Sequence, residues 1–278
     1  FCGNINVIMT IEDFFELFLD ELRQNSELRS YYRFLNNEAL FDYRKAYFIQ
    51  RLQYINTRLS DKSAKIFDIG CGYGTTAIYL TLNGYRVHGT TLEFYFEQIA
   101  KRRDYWQRFG SLDGFTVAYE NLFDNPPPGD SFDVIIAQDV LHHLEPLNKG
   151  LAIIRNSMKK SGLLIACEEN GNNLVNSTRL FIKRGNRKVI RMFDDKLDKE
   201  ILIGNENIRS LRKWTREMIR QNLKINEKDI EYVRLFPPFK YKRTGTDGVI
   251  ASEQKLWKRH PMLREYFYHG VNFTVSKD

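Results

Sequence analysis

Between Thr10 and Leu22 the apolar residues return at steps of three and four: Ile11, Phe14, Phe15, Phe18, Leu19 and Leu22. That spacing lines one face of a helix, and Thr10 followed by Glu12 and Asp13 is a helix start. A second run, Leu40, Tyr43, Tyr47, Ile49, Leu52 and Ile55, carries the helical pattern towards residue 60. From Lys65 the texture changes. Short apolar runs predict strands at 65–69, 86–91, 115–120, 132–137 and 162–168, with helices at 75–83, 94–109 and 147–158 between them. Beyond Glu169 the alternation lapses into a polar, basic stretch rich in Asn and Gly, ahead of a helix at 210–222. A last strand pair is predicted at 229–236 and 270–276, too far apart for a simple hairpin turn. The expected architecture is α/β, a doubly wound, mostly parallel seven-stranded sheet with helices on both faces. Residues 1–60 are expected to form an N-terminal helical segment or lid. The main domain, 61–278, carries insertions after strands 5 and 6, at about 170–215 and 237–268.

Composition adds little to this picture, but charge does. Of the 278 residues, 42% are hydrophobic and 14% aromatic, enough to bury the core of one large α/β domain. No apolar run approaches the roughly 20 residues that span a bilayer. The first residues lack the basic-then-apolar pattern of a secretory leader, so a cytoplasmic chain without a membrane span is expected. Cys2, Cys71 and Cys167 show no metal-ligand spacing, so neither a metal nor a disulfide framework is expected. The net charge is +7, and 179–224 alone holds fourteen Lys and Arg against six Asp and Glu. This segment reads either as a solvated helical face or as a surface for an anionic partner, whether an acidic small molecule or a nucleic acid.

The candidate chemistry begins at "KIFDIGCGYGTTA", where Asp68 closes a predicted strand and Gly70, Gly72 and Gly74 follow. A dinucleotide fingerprint needs G-x-G-x-x-G, but its third glycine position is Thr75 here. A P-loop needs a lysine after the glycines, and none follows. The stretch instead resembles motif I of class I S-adenosylmethionine-dependent methyltransferases, in which an acid precedes G-x-G-x-G. The resemblance runs over about 64–170 and implies S-adenosylmethionine as the cofactor. The ligand suits such a turn. It has no phosphate, so it needs a backbone without Cβ atoms to lie against, and a carboxylate such as Asp68 favours its positive amino and sulfonium groups.

The resemblance implies roles further along the chain. Gly70, Cys71 and Gly72 form the cofactor turn. In "VHGTTLE" the family's ribose-binding acid is replaced by Thr91, with Leu92 and then Glu93 beyond it, and ribose contact falls to Thr91 or Glu93. In "AYENLFD", Asn121 sits where adenine is contacted, unless it is a turn residue, and Leu122 covers the ring. In "SFDVIIAQDVLHHLEP", Gln138 ends the fourth strand near the methionine moiety, and "VLHHL" begins a helix beside the cofactor. "NPPP" at 125–128 precedes that strand, so it is a proline-stiffened loop rather than an amine-methylating motif.

Methyl transfer from a sulfonium is an in-line displacement that can also require a proton to leave the acceptor. His142 and His143 are the first candidates for the base. On a helix they would point about 100° apart, so one at most would face the site. Glu168 and Glu169 are the next candidates, and strand geometry again turns only one inward. Tyr31, Tyr32 and Tyr43 can close over the cofactor or pack in the core. Arg184 and Arg209, with Arg187 and Arg212, can hold an anionic acceptor or simply lie at the surface. The expected function is methyl transfer to an O or N atom of a small-molecule acceptor, which can be acidic. The alternatives are an RNA methyltransferase using the basic 179–224 patch, a carbon or lipid methyltransferase, and a protein that binds the cofactor without transferring its methyl group. The oligomeric state stays open.

Overall fold

A computed structural model describes residues 8–92 and 95–278. The chain opens with helices α1 (Ile11–Gln24), α2 (Ser26–Tyr32) and α3 (Phe41–Asn56). Thr10 caps α1, its Oγ1 accepting from Asp13 N at 3.0 Å. Phe14, Phe15, Phe18 and Leu22 on its apolar face are fully buried. The α/β alternation follows as β1 (Lys65–Ile69), α4 (Thr75–Leu82), β2 (Arg86–Thr91), α5 (Tyr95–Trp106), β3 (Phe115–Tyr119), β4 (Phe132–Gln138), α6 (Leu147–Ser157) and β5 (Met158–Glu169). The remainder is α7 (Leu174–Arg184), β6 (Val189–Asp194), β7 (Lys199–Gly204), α8 (Leu211–Ile219), β8 (Leu223–Ile225), β9 (Glu231–Val233), α9 (Pro238–Thr244), α10 (Thr246–Arg259), α11 (Pro261–Phe267) and β10 (Gly270–Lys277).

The main sheet runs β3-β2-β1-β4-β5-β10-β8, with β9 alongside β10; seven of these eight strands fall at expected places, and β8 is the addition. The first five are parallel and β10 is antiparallel to β5. Alternate strand residues feed opposite faces. Ile66, Val87, Ile136 and Ile165 enter a core shared with α1 to α5, whereas Phe67, Ile69, Ile135 and Leu164 pack with α6 and α8. The three N-terminal helices therefore belong to the sheet's own core. Phe14 meets the Tyr79 ring at 5.2 Å and Trp106 at 4.6 Å. Beneath them Arg102 and Glu21 form a buried two-pronged ion pair at 2.8 and 2.7 Å, and Glu21 also accepts from Trp106 Nε1 at 2.9 Å. Such a pair adds little net stability but is costly to break from one side.

Three expectations change. The strand predicted at 229–236 shrinks to β9, and β8 forms on the far side of a turn in which Asn226 and Asp229 both bond Thr274 Oγ1, at 2.8 and 2.6 Å. A three-residue strand is too short to leave a period in the sequence. The basic insertion contains an antiparallel hairpin, β6–β7, which forms a separate two-stranded sheet. "VLHHL" starts no helix: residues 141–143 form a turn, Leu144 bridges to Ile203, and α6 begins only after Pro146. Pro146 restricts Glu145 away from helical geometry and donates no backbone hydrogen bond itself.

Candidate active site

Beyond Ile69 the chain turns through Gly70, Gly72 and Gly74 with φ of 63°, 54° and 72°, a region that residues with a Cβ rarely enter. At Gly70 space forbids one as well, since a Cβ would lie 2.6 Å from Val140 Cγ2. The turn is closed by Gly74 N donating to Cys71 O at 2.8 Å and Cys71 N donating to Thr90 O at 2.9 Å. Over it lies a cavity of about 770 Å³, bounded by the carboxyl ends of β1, β2, β4 and β5, by α2 and α3, and by the β6–β7 hairpin. Open parallel sheets hold ligands at this edge, and the volume falls within the roughly 300–1,000 Å³ of small-ligand sites.

Most of the residues singled out from sequence meet here. Gly70, Cys71, Gly72, Thr91, Leu92, Asn121, Leu122 and Gln138 line the cavity, with Tyr31, Tyr32, Tyr43, His142, His143 and Glu169. Asn121 is also a turn residue, because its Oδ1 accepts from Phe123 N at 2.9 Å. Gln138 Nε2 donates to Thr76 Oγ1 at 2.8 Å, which turns its oxygen to other partners. Tyr31 packs against the Tyr73 and Tyr95 rings at 4.9 and 5.2 Å, and Tyr32 reaches Thr75 Oγ1 at 2.5 Å. Both tyrosines thus roof the glycine turn. Glu93 lies outside the described residues.

Four expected residues stand elsewhere. Asp68 lies beneath the turn rather than on the cavity wall. It is 1% exposed, and its Oδ2 has no hydrogen-bond partner among the described residues. Burial pushes its carboxyl up to about 7 against the pull of Arg51. Glu168 is buried behind the wall. Arg184 and Arg209 are occupied away from the cavity: Arg184 Nη2 donates to Glu206 O at 3.0 Å, and Arg209 pairs with Glu145 at 2.7 Å. A charge tally cannot see which arginines fold back on their own insertion.

The histidine turn is the most constrained part of the wall. With no helix to splay them, His142 and His143 both face the cavity, their ring centroids 4.1 Å apart. Glu168 accepts from Val140 N and Leu141 N at 3.1 and 2.8 Å and holds His142 Nδ1 at 2.6 Å. Burial works against a charged His142, but the Glu168 carboxylate outweighs it and pushes the imidazole up to about 9. His143 Nδ1 lies 2.7 Å from Gly204 O. A carbonyl only accepts, so Nδ1 carries the hydrogen and Nε2 the lone pair. Gly204 is required at that contact, because a Cβ would fall 2.0 Å from His142 O.

Several lining residues were not singled out from the sequence. Arg51 on α3 pairs with Asp139 at 2.7 Å, and Asp139 takes a φ of 51° just after β4. Burial opposes the charge on Asp139, but Arg51 holds its carboxyl below the usual range. Glu206, Arg234 and the hairpin residues Ile201 to Ile203 complete the side of the cavity away from the glycine turn. Arg51 lies one helical turn beyond Tyr47, a spacing that could have flagged it. No comparable signal marks Arg234.

These residues suit S-adenosylmethionine. The turn offers bare backbone, Asp68 Oδ2 is a buried oxygen with no hydrogen-bond partner among the described residues, and Asn121, Leu122 and Gln138 present polar and apolar edges where adenine and methionine groups would lie.

Residues 67–166 match the family described as a methyltransferase domain. Two curated relatives match over about 100 residues. One is an uncharacterized protein of Synechococcus sp., 30% identical over 36% of this chain. The other is the 27-O-demethylrifamycin SV methyltransferase of Amycolatopsis mediterranei, 31% identical over 34% of this chain. The matched segments span only 24% and 37% of those proteins. Among solved structures, the YcgJ protein of Bacillus subtilis aligns over 82% of this chain and 99% of its own, with a TM-score of 0.55 at 15% identity. An S-adenosylmethionine-dependent methyltransferase of Archaeoglobus fulgidus aligns over 82% and 92%, at 0.52 and 13%. The [4+2]-cyclase SpnF does so over 82% and 80%, at 0.53 and 16%. The matched segment is that of a methyltransferase domain, and the likeness to the solved structures is one of fold, the Rossmann-like fold of S-adenosylmethionine-dependent methyltransferases. Among the described residues, no helix is long and apolar enough to cross a membrane.

Proposed function

We propose that this chain transfers a methyl group from S-adenosylmethionine to an oxygen or nitrogen of a small-molecule acceptor. One observation carries the reading: a single cavity joins the glycine turn to His143 and Glu169, so cofactor and acceptor groups share one space. S-adenosylmethionine, when bound, supplies a methyl group on a sulfonium, open to in-line displacement. The chain's own residues do the rest. Gly70 to Gly72 give the methionine and ribose a flat backbone, Thr91 meets the ribose, Asn121 and Leu122 hold the adenine, and Gln138 faces the amino acid end. Asp68, beneath the turn, favours the positive charge of the amino group.

His142, pushed up to about 9, keeps its proton at neutral pH and stays between Glu168 at 2.6 Å and Glu206 at 3.6 Å. With Nδ1 donating to Gly204 O, His143 keeps Nε2 as the nitrogen suited to take the acceptor's proton. Glu169 orients the acceptor from the end of β5.

The fold by itself does not choose the reaction, and its neighbour SpnF is a cyclase. What favours transfer is the matched methyltransferase segment together with a lone-pair imidazole in the same cavity. The 27-O-demethylrifamycin SV relative supports a small-molecule acceptor. The RNA reading is weaker, because Arg191, Lys196, Lys199, Arg209 and Arg220 of the basic segment are ion-paired within the chain.

Calorimetry with S-adenosylhomocysteine is the first test. Saturable binding is expected in the wild type, weakened about 10- to 100-fold in Asp68→Ala by loss of one charged interaction. A folded wild type that binds neither S-adenosylhomocysteine nor S-adenosylmethionine sinks the proposal.

A further inference from the structure

Just past β9 the backbone turns at Arg234, whose φ of 62° lies in the left-handed region. The turn is held from within by Glu253 of α10, which is 1% exposed. Its carboxylate accepts from Arg234 N at 3.3 Å, Leu235 N at 2.8 Å, Phe236 N at 3.0 Å and Tyr241 OH at 2.7 Å. A buried carboxylate is costly unless donors surround it. Here donors from the backbone turn and from α9 satisfy it and lock the turn. The inserted segment between β9 and β10 thereby fixes one side chain of the cavity wall.

That side chain is a cation with no ion pair at contact distance among the described residues; Asp139 and Glu169 favour its charge only from further away. The Arg234 guanidinium lies 3.8 Å from the centroid of the Tyr47 ring and lines the cavity. It makes no ion pair or side-chain hydrogen bond among the described residues, and its buried Nε has no partner. The nearest acids are engaged elsewhere: Asp139 with Arg51 at 2.7 Å, and Glu169 with Asn176 Nδ2 at 2.6 Å. His269, whose backbone N–H donates to Arg234 O at 3.1 Å, is lowered to about 4 by burial and then by Arg234 and Arg179, a sign of locally positive potential.

A guanidinium carries a planar fork of donors and no acceptor, the complement of a carboxylate. We propose that Arg234 binds a carboxylate of the methyl acceptor through that fork, so that the enzyme selects carboxylate-bearing substrates. The proposal rests on the methyl-transfer reading above. The acceptor, rather than the cofactor, is assigned by position. Val233 pairs with Gly270, and Gly270 with Glu169, which puts Arg234 on the β5 side. Strand β9 lies four strands from β1, roughly 19 Å at ~4.8 Å per strand. One unpaired guanidinium matches a single negative charge, which favours a carboxylate over a phosphate dianion.

The test uses 15N-arginine-labelled protein saturated with S-adenosylhomocysteine, and benzoate, benzamide and phenyl phosphate as probes. The readout is the Nε–H resonance that disappears in Arg234→Gln. Benzoate should move it saturably and benzamide should not. By calorimetry, Arg234→Gln should weaken benzoate about 10- to 100-fold, and Arg234→Lys, which keeps the charge but not the fork, should fall between. The resonance shifting with S-adenosylhomocysteine alone and then ignoring benzoate overturns the proposal, because the cofactor's own carboxylate would then be the ligand. Equal shifts by benzamide, a preference for phenyl phosphate, or no response to benzoate overturn it too. If S-adenosylhomocysteine itself fails to bind, the methyl-transfer reading falls and takes this one with it, whereas cofactor binding without a benzoate response removes this one alone.

Discussion

The two ends of the cavity are built differently. At the glycine turn the wall is backbone, shaped by three positive-φ glycines and tied to β2 by a main-chain bond. At the other end the wall is side chains brought from far apart in sequence: Arg51 on α3 against Asp139, His142 against Glu168, His143 against Gly204, and Arg234 over Tyr47. A backbone surface serves one constant ligand, since every residue offers the same N–H and C=O groups. A side-chain surface can be rebuilt by substitution and by insertions such as β6–β7 and α9 to α11. The difference suits the first end to a constant ligand and the second to one that can change from protein to protein.

The sharpest break between the two ends is His143→Ala. Methyl transfer should fall about 10²- to 10⁴-fold while S-adenosylhomocysteine affinity stays put, as activity assays and calorimetry on one preparation would reveal. A comparable loss of cofactor binding would mean that the two ends are not separable.

Next comes Glu21→Ala, which strands the buried Arg102 and should cost about 3–5 kcal/mol in denaturant unfolding. A single shifted transition is expected, because α1 shares the core of α4 and α5. A separate early transition would make the N-terminal helices an independent unit.

Asp68 tests the cofactor end through pH. Its folded value of about 7 lies above the ordinary 3.8, so the native state holds a proton that the unfolded chain has lost between those values. The contribution of Asp68 to stability should therefore be fullest below about pH 4, decline towards pH 7 and level off above it. Asp68→Asn should flatten this slope and stabilise the protein at pH 8 by about 2–4 kcal/mol. An unchanged profile would mean that Asp68 is not the buried acid described.

The smallest effect is a change of protonation. Glu168→Gln keeps an oxygen for Val140 N and Leu141 N but removes the charge beside His142. The imidazole should fall from about 9 towards its ordinary value, followed by NMR titration, with S-adenosylhomocysteine binding unaffected.

Much of this was legible beforehand. Five strands and three intervening helices lie within a few residues of their predicted bounds, because strands buried on both faces leave apolar runs. The glycine turn was legible because its conformation admits almost nothing else. The acceptor end was only half legible. Its histidines were named, but the helix expected to separate them is a turn, which Pro146 and the Leu144–Ile203 bridge impose. Charge density pointed at Arg184 and Arg209, which fold back on the insertion, while Arg234 in an unremarkable stretch took the place expected of them.

The amino-acid sequence by itself determined the α/β alternation and the cofactor turn, because both follow from local periodicity and from the φ angles that glycine alone tolerates. Only the tertiary structure decided which ionisable groups face the cavity and in what state. His142 is a cation because Glu168 comes to it from the end of β5. Arg234 makes no ion pair among the described residues, because Arg51 and Asn176 have already engaged Asp139 and Glu169. Charge states depend on burial and on neighbours distant in the chain, and neither is written in the residues on either side.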